Sequence, residues 1–265
     1  MALAEVTTDT RLLVSREGDV VVVRLNDPKT MNALTEDIAN GVRSALEEAG
    51  TSARAVILAG GERAFSSGAN LTGSSTMGSP EHDTGASLER TFNPLMETIR
   101  GLPIPIVTAV RGAAAGVGAS LAMAGDIIVA GRSAYFLEAF ARIGLVPDGG
   151  ATWLLTQAVG RVRAMEMMLL AEKIPAEKAH GWGLVTRVVD DEAVDATAME
   201  IAEKLAAGPS RALGLIRRAA WSAAESTFAE AMANERALQR EAGRHPDFAE
   251  GVAAFREKRP ARFAG

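Results

Sequence analysis

The chain has 265 residues, no Cys, three His and a formal charge of −5. Without Cys it holds no disulfide framework, thiolate metal site or thiol nucleophile. His82, His180 and His245 lie far apart and in no metal-ligand spacing, so reactive groups are sought among carboxylates, hydroxyls and backbone amides. With 48% hydrophobic and 23% charged residues the composition is globular, and the Ala-rich chain favours closely packed helices. The acidic balance and scarce aromatics offer no footprint for nucleic acid. Met1–Thr10 carries acids and no long apolar run, unlike a signal peptide. The uncharged run between Arg111 and Asp126 is 14 residues, too short to span a bilayer. A soluble, cytoplasmic protein without membrane or nucleic-acid partners is expected.

Val20–Leu25 (VVVVRL) predicts a buried strand, ended by Asn26-Asp27-Pro28. Thr35 reads as an N-cap, with Glu36 and Asp37 at the favourable end of the helix dipole. Ile38, Val42, Ala45, Leu46 and Ala49 recur at helical spacing, and Gly50 is the expected stop. Arg54–Ala59 predicts a second strand, followed by a loop through Phe65-Ser66-Ser67-Gly68-Ala69. Residues 72–87, rich in Ser, Gly and Thr, are expected to be mobile and to shape substrate choice. A helix follows near Leu88–Gly101, then a strand over Ile104–Val110. Gly112 to Gly118 predicts a turn opening a helix that ends near Gly125, and Asp126–Ala130 a fourth strand. This alternation implies parallel pairing with helical crossovers. Beyond about residue 190 the chain reads as helices alone: Val194–Ala207, Ser210–Ala224, Thr227–Arg240 and a helical tail over Phe248–Phe263. The expected division is an α/β core over residues 1–192 and a helical region over 193–265.

Three segments could carry chemistry. The Gly112–Gly118 turn would leave N–H groups free at a helix start, fit for an anion or a developing oxyanion, although it also suits plain close packing. It lacks the third glycine of a dinucleotide fingerprint, because Leu121 stands there. Phe65–Asn70 follows a strand and could present another N–H; alone it is a polar loop. Gly144-Leu145-Val146-Pro147-Asp148-Gly149-Gly150 places an acid among apolar residues, where burial would raise its pKa for proton transfer. Asp148 equally suits a turn, or the N-cap of a helix starting near Ala151. Between Ile104 and Thr152 the other two acids, Asp126 and Glu138, read as structural. Ser66, Ser67 and Ser120 form no nucleophile elbow with a paired His.

Together, several segments resemble the enoyl-CoA hydratase/isomerase (crotonase) superfamily over nearly the whole chain. They are Asn26-Asp27-Pro28 with Asn32-Ala33-Leu34, Ala64–Ala69, Ile104–Gly112, Gly144–Gly150, Gly183-Leu184-Val185 with Val188-Val189, and Phe255–Arg259. The resemblance implies a crotonase-like spiral of ββα turns, a helical C-terminal region, and a homotrimer or dimer of trimers. It implies an acyl-CoA thioester as substrate, coenzyme A being part of that substrate and no separate cofactor or metal being required. The thioester oxygen would sit between the N–H groups of Ala69 and Val117. Arg63, Ala64, Ser67, Ser120 and Phe140 match positions bordering the CoA and acyl pocket, and Phe255 and Lys258 match tail positions that reach a neighbouring subunit's CoA.

The two glutamates of a typical hydratase correspond here to Ser120 and Phe140, neither of which can add water by acid/base work. Asp148 instead matches the acid after the proline in the relatives that isomerise epoxyphenylacetyl-CoA or dehalogenate 4-chlorobenzoyl-CoA. An isomerase with Asp148 as the one acid/base is therefore expected, with Phe136, Phe140 and Trp153 keeping water out. The alternatives are a hydratase, use of Asp148 as a nucleophile on an aryl ring, and an acyl-CoA-binding protein without turnover.

Overall fold

The computed structural model describes residues 10–71, 79 and 82–264. The expected leader-free start and most of the expected mobile segment, residues 1–9, 72–78, 80 and 81, lie outside the described residues. Two antiparallel strands come first, β1 (Leu12–Glu17) and β2 (Val20–Leu25). Helix α1 (Glu36–Ser52) follows, and Thr35 Oγ1 caps it by accepting the Ile38 N–H at 3.3 Å. The helix runs past Gly50, because the Ala53 N–H still reaches the Ala49 carbonyl.

Three strand–strand–helix units then repeat. In the first, β3 (Ala55–Ala59) and β4 (Ala64–Ser66) precede a π-helical turn over Leu88–Phe92 that runs into α2 (Asn93–Gly101). In the second, β5 (Ile106–Val110) and β6 (Ala113–Ala115) precede α3 (Val117–Met123). In the third, β7 (Ile127–Gly131) and β8 (Tyr135–Leu137) precede a 3₁₀ turn over Ala139–Ile143 and α4 (Ala151–Leu170). The remainder is β9 (Ile174–Pro175), α5 (Ala176–Gly181), β10 (Arg187–Val189), α6 (Val194–Ala206), α7 (Ser210–Ala223), α8 (Phe228–Ala242) and α9 (Pro246–Glu257).

The first strand of each unit joins a large sheet of order β1-β2-β3-β5-β7-β10, and the second joins a small sheet of order β4-β6-β8-β9. Successive units pair in parallel in both sheets, so the backbone winds as a spiral with one ββα unit per turn. The large sheet is apolar on both faces, which is why its strands read as unbroken apolar runs rather than alternating ones. Val21, Val23, Val56 and Leu58 face the main core, while Val20, Val22, Ala55 and Ile57 face a second cluster. Helix α6 covers that second face with Val194, Ala198, Ile201 and Ala202.

Two stretches expected to be loop or turn contain strands, β4 and β6. Three residues of Ala, Ser or Phe show no periodicity, and Ala and Ser do not favour strands; pairing across the spiral supplies the preference they lack. The tail helix ends at Glu257 rather than running to Phe263. Lys258 turns left-handed at φ 55°, the Arg259 N–H returns to the Ala254 carbonyl, and Pro260 follows.

The helical region is tied to the core by Arg217 on α7, which is 6% exposed. Its guanidinium donates to Asp126 Oδ2 at 2.6 Å, to the Leu102 carbonyl at 2.5 Å and to the Ile99 carbonyl at 2.8 Å. Removing one partner strands the others, so Arg217→Met should lower unfolding free energy in urea by about 3 kcal/mol. Arg218→Met, which breaks an exposed pair with Glu241, should change it by less than ~1 kcal/mol. Equal effects of the two substitutions would show that Arg217 is no anchor.

Candidate active site

The site is assembled where neighbouring spiral turns touch. Asn32, 3% exposed, donates from Nδ2 to the carbonyls of Ala64 (2.9 Å) and Phe65 (3.2 Å). Its Oδ1 accepts the Asp27 N–H at 2.6 Å, so the Asn-Asp-Pro segment and β4 are held by one side chain. Ser66 donates to the Asn32 carbonyl at 2.8 Å and accepts the Gly68 N–H at 3.2 Å. Beyond it, Leu34 pairs on either side of Ala69: it donates to the Gly68 carbonyl at 2.8 Å and accepts from the Asn70 N–H at 3.0 Å. The Ala69 N–H is therefore not used in that pairing.

The second donor comes from α3. Val117 is its first residue, so its N–H has no acceptor within the helix. The two turns are in direct contact. A Cβ on Gly68, whose φ is +95°, would lie 2.8 Å from the Ala115 carbonyl oxygen, and one on Gly118 would lie 2.6 Å from Ser66 Cβ and Oγ. A cavity of about 520 Å³ opens beside them, with Ser67, Ala69, Val117, Phe140 and Asp148 on its wall. The π-helical turn adds Leu88, Arg90 and Phe92 to that wall; such turns recur at functional sites.

Asp148 lies in the segment that enters α4. The next residue, Gly149, packs against Ser120 and Val117, and the Asp148 carbonyl accepts from Ser120 Oγ at 2.8 Å. Its side chain does not cap α4; Gly150 is the N-cap, and the Asp148 carbonyl accepts the Ala151 N–H at 3.0 Å. The carboxyl is half-buried, Oδ1 has no hydrogen-bond partner among the described residues, and burial pushes its pKa up to about 6. The cavity's other acids are engaged: Glu36 pairs with Arg90 at 3.0 Å, and Asp83 accepts the Gly85 N–H at 2.9 Å. His82 also lines it. Among the described residues no group of three or more His, Asp or Glu side chains is placed to hold a metal ion. No helix among them is long and apolar enough to cross a membrane.

The enoyl-CoA hydratase/isomerase family model matches residues 15–265. The chain belongs to that family. It is 42% identical over 252 residues to the 1,2-epoxyphenylacetyl-CoA isomerase of Escherichia coli K12, covering 94% of this chain and 96% of the relative. It is also 42% identical over 246 residues to a Rhodobacter capsulatus protein named "Probable enoyl-CoA hydratase", covering 93% and 95%. Among solved structures, the enoyl-CoA hydratase of Bacillus anthracis superimposes with a TM-score of 0.90 at 28% identity, covering 96% of this chain and 99% of that one. The fold is thus the crotonase-type α/β spiral with a helical C-terminal region.

The remaining family-matched positions fall in different places. Ala64 is buried in β4, and Arg63 is exposed just before it; neither lines the cavity. Ser67 lines it and ties its Oγ to the Thr30 carbonyl at 2.9 Å. Ser120 is fully buried behind Asp148 and off the cavity wall. Phe255 is 86% exposed on α9, Lys258 ends that helix, and neither approaches the cavity within this chain. Of the three aromatics expected to exclude water, only Phe140 lines the cavity. Phe136 is fully buried in the core, and Trp153 stacks on Trp221 of α7 with ring centroids 5.2 Å apart.

Sequence reasoning passed over Glu138, read there as structural. It is 0% exposed, and neither carboxyl oxygen has a hydrogen-bond partner among the described residues. Desolvation, and then the charge of Asp148, push its pKa up to about 8. An acid set inside the apolar run Tyr135–Phe140 was the available signal.

The contact between the two turns can be tested sterically. Gly118→Ala adds one methyl to a helical position against Ser66, so it should cost about 1–3 kcal/mol in urea unfolding. A stability within ~0.5 kcal/mol of the parent would mean that the turns have slack.

Proposed function

We propose that the protein is an acyl-CoA isomerase that works with one shuttling carboxylate, Asp148. The observation that carries this reading is that Asp148 lines the cavity together with Val117 and has an unpartnered carboxyl oxygen among the described residues; by the family resemblance, Ser120 and Phe140 match the positions of the hydratase glutamates. The similarity to the 1,2-epoxyphenylacetyl-CoA isomerase supports it.

In this mechanism the Asp148 carboxylate removes a proton from the carbon next to the thioester carbonyl. The electron pair of that C–H bond forms an enolate, whose oxygen accepts from the N–H groups of Ala69 and Val117. For a 3-enoyl-CoA, the Asp148 acid then returns the proton to C4. The double bond moves to C2=C3, and the carboxylate is regenerated. The same proton removal serves part of the rearrangement of an epoxidised aryl-acetyl-CoA. Phe140 shields the intermediate from water, and Ser67 shapes the acyl pocket. Arg63 and Ala64 border the CoA site, and Ser120 acts through Asp148 by holding its backbone. Residues 193–265 serve a trimer or a dimer of trimers, in which Phe255 and Lys258 reach a neighbouring subunit's CoA. CoA enters as part of the substrate, with no resident cofactor, in the cytoplasm. Water addition is the second reading, favoured by the relative named as a hydratase; it would need a second free acid on the cavity wall, where Glu36 pairs with Arg90 and Asp83 accepts the Gly85 N–H, while Glu138 lies off that wall.

Asp148→Asn should lower kcat for isomerisation of 3-hexenoyl-CoA by about 10²–10⁴-fold. Because the base must be ionised, wild-type kcat/KM should rise tenfold per pH unit up to about 6 and level off toward neutral pH. Near-parental turnover by Asp148→Asn, or robust hydration of crotonyl-CoA by the wild type, overturns the proposal.

A further inference from the structure

We propose that Glu138 is a positioning residue of this site: it keeps a second proton as a neutral carboxylic acid behind Asp148, so that the two carboxyls together carry one negative charge during turnover. The inference rests on the single-base reading above and deepens it.

Glu138 is buried beside the site with neither carboxyl oxygen partnered among the described residues. It follows β8 directly, and the preceding Leu137 carbonyl accepts the Gly116 N–H at 2.9 Å, at the start of the Val117 donor turn. The next two residues, Ala139 and Phe140, line the cavity, while Glu138 does not. Among the described residues it is off the cavity wall, and Asp148, which is on it, is the charged group that bears on Glu138.

No cation on the surrounding elements compensates it. Arg142 on the 3₁₀ turn donates to the Ala171 carbonyl, and Lys178 on α5 pairs with Glu166 on α4 at 3.0 Å. Lys173 lies over the Tyr135 ring at 4.2 Å, and His180 Nδ1 is 2.8 Å from the Val185 carbonyl oxygen. Across the cavity, Arg90 is held by Glu36, and Asp83 and His82 are the other titratable residues there among the described residues, besides Asp148. A carboxyl buried without a cation or a donor favours its neutral form.

The two acids therefore ionise in sequence, and the steps belong to the pair. Between about 6 and about 8 the pair is a monoanion with the charge on Asp148. Above about 8, Glu138 ionises and places a second fixed negative charge behind the site. That charge opposes the anion developing on the thioester oxygen. It also makes protonated Asp148 a weaker acid, which slows return of the proton to carbon.

The wild-type kcat/KM profile for 3-hexenoyl-CoA should accordingly be bell-shaped, about tenfold below its plateau at pH 9. Glu138→Gln, and Glu138→Met should Gln fail to fold, should abolish the alkaline limb and keep the acid limb, whatever the absolute rate. A substrate-independent readout accompanies it: in ¹³C-carboxyl-labelled enzyme one Glu signal should titrate near 8, vanish in Glu138→Gln and titrate lower in Asp148→Asn. An alkaline limb that persists in both Glu138 variants, or a Glu138 signal in the ordinary carboxyl range, overturns the inference. Failure of the isomerase reading shows separately, as turnover that survives Asp148→Asn.

Discussion

Everything in this site depends on the close approach of two backbone turns across the small sheet. Strands β4, β6 and β8 lie side by side, and each delivers one part as it ends. Beyond β4 comes Ala69, beyond β6 comes Val117, and beyond β8 come Glu138 and Phe140. The turns meet where neither Gly68 nor Gly118 has room for a side chain. Ser120 then ties the fourth part, the Asp148 segment, to α3 through its carbonyl. An oxyanion hole made of backbone amides asks only for this geometry. The acids are side chains and can change without disturbing it. That separation would let one spiral keep its backbone frame while the side chains matched to the hydratase glutamates, Ser120 and Phe140, differ.

The electrostatics follow from what is missing around the carboxyls. A carboxylate on the surface, or held by Arg, is stabilised as an anion and is a poor base. The surface carboxyl of Glu250, bonded by Arg259, is pushed down to about 2. Asp148 and Glu138 have no such partner, and burial moves both the other way. Arg90, the cation on the cavity wall, is taken by Glu36. Among the described residues the fold thus sets no cation against either carboxyl.

Much of this architecture was legible in the residues. Strands β2, β3, β5 and β7 announced themselves because a sheet covered on both faces needs continuous apolar runs. Thr35 announced α1, whose cap is a local interaction. The strands of the small sheet were not legible: β4 and β6 are three residues each, mostly Ala and Ser, held by pairing with each other and, for β6, with β8, all distant in the chain. The family resemblance pointed to Ala69, Val117 and Asp148, which periodicity could not single out and which all line the cavity. It also matched Ser120 and Arg63 to the pocket border, yet one lies behind Asp148 and the other off the cavity wall. Glu138, read as structural, is fully buried with neither carboxyl oxygen partnered among the described residues. Its sequence neighbours are apolar, but whether an acid among them turns to solvent or inward is decided by what packs over it and not by its neighbours in the chain.

A single base suits isomerisation for a reason that lies in proton accounting. Hydration adds a proton to one carbon and hydroxide to another, so an acid and a base must both reach the substrate. A double-bond shift removes one proton and restores one, so one group suffices if it is poised to do both. A carboxyl with a pKa near 4 would take the proton reluctantly, and one near 9 would already hold it. Asp148, pushed to about 6, is ionised at neutral pH yet basic enough to accept. Burial raises that pKa, and the segment is tight there, since a side chain on the adjacent Gly149 would meet Ser120 and Val117.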